Sequence, residues 1–155
     1  MVCLPAMDAQ SQLDNFIDQY SPELASDARA VLGWLTEQLK AATRLVYDNY
    51  NALVIAFSVS EKPGDIILSI ALYPKYVTLF FANGAALSDP NRILEGRGST
   101  IRGLKLRPIS RVQSAEVLAL IDSAVSLADP LPRTGEGRMI IKSISAKQRP
   151  RRPKA

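Results

Sequence analysis

Residues 44–82 read RLVYDNYNALVIAFSVSEKPGDIILSIALYPKYVTLFFA. β-branched and aromatic residues dominate this stretch, and turn formers break it at Asn51, at Glu61-Lys62-Pro63-Gly64 and at Pro74-Lys75. The pattern predicts four strands, Arg44–Tyr50, Ala52–Ser58, Asp65–Tyr73 and Tyr76–Ala82. The links are too short to hold a crossover helix, so the strands form an antiparallel meander. The third is apolar almost throughout, which predicts a central place in the sheet.

Upstream, Leu13, Phe16, Ile17 and Tyr20 recur at helical spacing and predict a helix over about residues 9–19. Ser21-Pro22-Glu23 then opens a second helix as cap, first and second positions. Its apolar face, Leu24, Ala28, Val31, Leu32, Leu35 and Leu39, carries it to about Ala42. Downstream, 83–99 is a loop rich in Gly, Asp, Pro and Asn. A fifth strand follows, in which Leu104 and Leu106 alternate with Lys105 and Arg107. Ser114 caps a third helix with Glu116 in its first turn, and Asp129-Pro130-Leu131-Pro132 closes the body. The expected fold is α+β: an antiparallel sheet of five or six strands, two N-terminal helices and one C-terminal helix, all on one face.

The chain has 155 residues, one domain's worth, with an ordinary apolar content of 47%. Its net charge of +4 is uneven. Residues 133–155 hold eight bases and one acid, while the first 132 hold 11 bases and 14 acids. A mildly acidic body over 1–132 therefore carries a basic extension over 133–155. Within the extension, residues 138–145 are apolar enough for a sixth, edge-pairing strand. Residues 146–155 have no large apolar side chain and are expected to be disordered.

There is no histidine, which removes histidine-based triads, metal sites and pH switches. The single cysteine, Cys3, cannot build a disulfide framework or a zinc site. No basic, then apolar, leader opens the sequence, and no run approaches a membrane span. A cytoplasmic protein without membrane attachment is expected.

Three constellations carry candidate chemistry. Asp14 and Asp18, and Glu23 and Asp27, are spaced four apart on helices. Each pair could offer oxygen ligands to a hard cation or simply form a solvated face. Tyr47, Tyr50, Tyr73 and Tyr76 gather at the ends of adjacent strands and could line a small-ligand pocket or pack a sheet edge. The segment Arg92–Arg111 carries six bases against Glu95. Within it, Gly96-Arg97-Gly98-Ser99-Thr100 and Arg102 could hold an anion. The basic tail could touch nucleic acid weakly and without sequence preference.

Several strings resemble the YdhG-like family of small bacterial domains: Phe16–Glu23, Tyr47–Asn51, Ala71–Pro74, Leu79–Phe81, Leu87–Pro90 and Leu94–Gly98. The resemblance spans roughly residues 13–128 and implies a frataxin-like sandwich, one antiparallel sheet covered by helices. Frataxins handle iron through acidic residues, so it also implies an iron-binding chaperone as an alternative, with Asp14, Asp18, Glu23 and Asp27 as ligands. The leading expectation is a non-enzymatic module that binds a small ligand or a protein partner and needs no cofactor. A second alternative is an anion or nucleic-acid binder acting through Arg92–Arg111 and the tail.

Overall fold

The structure, a computed structural model, describes residues 7–128 and 137–154. Cys3, the Asp129–Pro132 boundary and the glycine approach at Gly135 lie outside the described residues. Three helices, α1 (Ala9–Asp18), α2 (Pro22–Gln38) and α3 (Ala115–Leu127), accompany six strands. The strands are β1 (Thr43–Asp48), β2 (Leu53–Ser58), β3 (Ile66–Leu72), β4 (Val77–Phe81), β5 (Arg102–Lys105) and β6 (Met139–Ile144). The α+β class holds.

Each helix begins on a side-chain cap that satisfies an otherwise orphaned amide. Asp8 accepts from the Ser11 N–H at 2.8 Å, Ser21 from Leu24 at 3.2 Å and Ser114 from Val117 at 3.4 Å. The second helix stops at Gln38, short of Ala42. Leu39 leaves helical backbone at φ −126°, ψ 50°, and the Ala42 N–H bonds its carbonyl. That turn aims the chain into β1. The first hairpin turn is longer than the single Asn51 expected: β1 ends at Asp48, and the Asn49 N–H bonds Ala52 O, which leaves Tyr50 and Asn51 in the turn.

The sheet runs β5-β4-β3-β2-β1-β6. The meander is antiparallel, but β6 lies parallel to β1, so the sheet is mixed and not wholly antiparallel. The cause is the direction of approach. Gly137 donates to Lys40 O at 2.8 Å and Arg138 accepts from the Arg44 N–H at 2.7 Å, so β6 enters beside the start of β1. A Cβ on Gly137 would collide with the Ala42 carbonyl. Gly137→Ala is therefore expected to detach β6, at a cost of about 1–3 kcal/mol. Amide exchange on residues 139–144 should quicken; unchanged protection would show that the crowding is relieved elsewhere.

Alternation along the strands makes one core. Val46, Ile55, Ile70, Leu79 and Leu104 sit in one row across the sheet, and all join a buried cluster with Leu13, Ile17, Leu35, Val117 and Ile121 from the three helices. The next row is Asp48, Leu53, Leu72 and Val77. A carboxylate thus stands at the end of an otherwise apolar row.

Candidate functional site

Asp48 is only 6% exposed, and a buried charge needs a partner. Its partner is Arg151, itself 7% exposed, whose Nη2 lies 2.9 Å from Asp48 Oδ1. The same guanidinium donates to Asn49 O at 2.6 Å and Tyr50 O at 3.4 Å. It also lies 5.8 Å from the Tyr20 ring. Around it, the Ser145 N–H and Gln148 Nε2 donate to Asp48 O, the Arg149 N–H donates to Tyr50 O, and Arg152 donates to the Asp18 and Gln19 carbonyls. Residues 146–154 therefore lie docked across the β1–β2 turn, which corrects the expectation of a disordered tail. Hydrogen bonds to exposed turn carbonyls, together with one buried ion pair, hold a segment that has no large apolar side chain to bury.

The docked tail makes one wall of a cleft of about 600 Å³. Arg149, Pro150, Arg152, Pro153 and Lys154 face Asn51 and the β3–β4 turn, Tyr73, Pro74, Lys75 and Tyr76. The Tyr73 N–H bonds Tyr76 O at 2.9 Å, so the two-residue turn sets both rings side by side, centroids 5.0 Å apart and tilted by 31°. Lys105 Nζ lies 4.3 Å from the Tyr76 centroid and the Arg107 guanidinium 5.2 Å. Burial, then the neighbouring Tyr76, pushes the Tyr73 phenol above its ordinary pKa. No carboxylate lines the cleft among the described residues. The acids at this end of the molecule are engaged, Asp18 with Arg29 at 2.7 Å and Asp48 with Arg151.

The expected tyrosine set is thus only partly assembled. Tyr73 and Tyr76 line the cleft. Tyr50 is 48% exposed at its border, with Arg149 lying 5.6 Å from its ring. Tyr47 stands one step back in β1, on the face away from the helices; its hydroxyl is buried without a hydrogen-bond partner, and burial raises its pKa.

The basic segment divides. Lys105 and Arg107 lie over the Tyr76 ring beside the cleft, whereas Arg102 sits at the opposite end of β5. Its guanidinium closes its own loop, donating to Gly98 O at 2.6 Å and Ile101 O at 2.8 Å. Arg97 is exposed in that loop, away from the tyrosines. On the helices, Asp14 accepts from Gln10 and Asp18 pairs with Arg29, while Glu23 and Asp27 are exposed. Among the described residues, no group of three or more metal-ligating side chains converges. No helix among them is long and apolar enough to cross a membrane.

Arg151 was not singled out by its sequence context. Two signals could have found it. Asp48 follows Val46 at strand spacing, which marks a core-facing carboxylate in need of a cation. Pro150 and Pro153 stiffen the flanking backbone and lower the entropy cost of docking. Neither family models nor curated proteins nor solved structures match the chain.

Proposed function

We propose that this chain is a non-enzymatic binding module whose Tyr73–Tyr76 cleft takes an anionic ligand. One observation carries the reading: cations stand on both sides of an aromatic floor, and no acid lines it. Such a site attracts negative charge and offers flat apolar surface to whatever carries it. The strings that resemble YdhG-like domains fit a small bacterial module of this kind and leave its ligand open. An iron-chaperone role draws no support from the placement of Asp14, Asp18, Glu23 and Asp27.

Calorimetric titration with pyrophosphate, ADP and a short oligonucleotide tests the proposal. At least one should bind saturably and lose affinity about five-fold or more in Lys105→Gln and in Tyr76→Leu. The fold should persist in both variants, since neither residue belongs to the buried cluster. Binding that ignores both substitutions, or no binding of any of the three, would overturn the assignment.

A further inference from the structure

We infer that the ligand of this cleft is a single-stranded nucleic acid, its backbone held between the two cationic walls and its bases laid on the tyrosines. The inference rests on the reading of the cleft as an anion site and narrows it. Three cations belong to the tail wall, Arg149, Arg152 and Lys154. Lys75 lines the opposite side, and Lys105 and Arg107 add their charge over the Tyr76 ring beside it. Charge spread along both walls suits a chain of phosphates better than one compact anion.

The lining also lacks what a terminal phosphate needs. It contains no glycine-rich turn and no helix N-terminus that would aim several amides at one group. The donors present are long, separate side chains, which follow a phosphodiester backbone without selecting its end. The aromatic floor then selects the strandedness. Tyr73 and Tyr76 can reach base faces only where the bases are unstacked from a partner strand. Duplex would offer its phosphates and withhold its bases.

The tail that supplies half of the charge is itself a built part of the site. Arg151 is buried against Asp48 and Tyr20, which anchors the backbone that holds Arg149 beside the Tyr50 ring and Arg152 on the Asp18 and Gln19 carbonyls at the cleft wall. An anchored wall places charge on the cleft at a smaller entropy cost than a free basic tail.

Fluorescence anisotropy with an oligothymidylate of about 20 nucleotides tests this, beside a duplex of equal length, polyphosphate of matched charge, and ADP. Contact with about four to six phosphates predicts that log K falls about 3–4 per tenfold rise in salt, near ten-fold weaker binding for each doubling. Tyr76→Leu should weaken the oligothymidylate about ten-fold or more and leave polyphosphate unchanged. ADP that saturates the cleft while the oligothymidylate binds no tighter would overturn the strand and leave the anion site standing. Duplex or polyphosphate equal to the single strand, with Tyr76 indifferent, would overturn it in favour of charge alone. If none of the four binds, both this inference and the anion site fall.

Discussion

Arg151→Ala is expected to lose about 3–5 kcal/mol of stability, because it leaves the Asp48 carboxylate buried without its cation. Both side chains are nearly inaccessible, 6% and 8% exposed, so solvent screening does not discount the pair as it would on the surface. The loss would also remove the side-chain donor from Asn49 O and one of two donors from Tyr50 O, and release the wall that carries Arg149 and Arg152. Equilibrium denaturation measures the first effect and titration of the cleft the second. Arg151→Lys should recover little, since an ammonium cannot match the fan of guanidinium bonds to Asp48, Asn49 and Tyr50. If Arg151→Ala unfolds outright, the double variant Asp48→Asn with Arg151→Ala keeps the test alive. Removing the orphaned charge should restore part of the loss. A single-variant loss below about 1 kcal/mol would show that water reaches the carboxylate and that the tail is not anchored there.

Tyr20→Phe is expected to cost about 2–4 kcal/mol, although it deletes one oxygen atom. That oxygen donates to Leu72 O at 2.8 Å and accepts from the Leu53 N–H at 3.1 Å. It thereby ties the turn between α1 and α2 to the facing ends of β2 and β3. Phenylalanine keeps the ring beside Arg151 and removes one partner from each of two buried backbone groups, so the variant isolates the hydroxyl. The pH dependence follows the same atom. Burial pushes the Tyr20 phenol up from 10.0 to about 12, with the Arg151 charge opposing the shift. The folded state holds this proton more tightly than the unfolded one. The associated stability is whole below pH 10 and drains away as pH rises through about 12. Wild-type stability should fall more steeply than that of Tyr20→Phe across this window. Parallel curves, with a difference under about 0.5 kcal/mol, would mean that the hydroxyl has water as an alternative partner.

Most of the architecture was legible because it is local. The meander rests on strand-length apolar runs separated by links of one to four residues, and antiparallel pairing is the only geometry such links permit. Helix starts were legible at Ser21 and Ser114 because a cap is a short-range hydrogen bond. The candidate site was legible in its types and not in its grouping. Tyr73 and Tyr76 meet because they flank one tight turn, whereas Tyr47 and Tyr50 belong to another hairpin. Arg97 and Arg102 share a run with Lys105 and Arg107, yet β5 sends the two pairs to opposite ends of the sheet.

The amino-acid order alone determined the α+β class, the meander and the basic character of residues 133–155, since each depends on neighbours a few positions apart. Only the tertiary structure decided that β6 runs parallel to β1, because a long connection leaves either direction open until Gly137 meets the Lys40 and Ala42 backbone. It also decided that the tail docks. Arg151 and Asp48 lie 103 positions apart, and their attraction is strong because both are withdrawn from water where the tail meets the end of β1. No count of apolar residues in the tail foretells that contact, because its driving force is a charge pair with a carboxylate on β1.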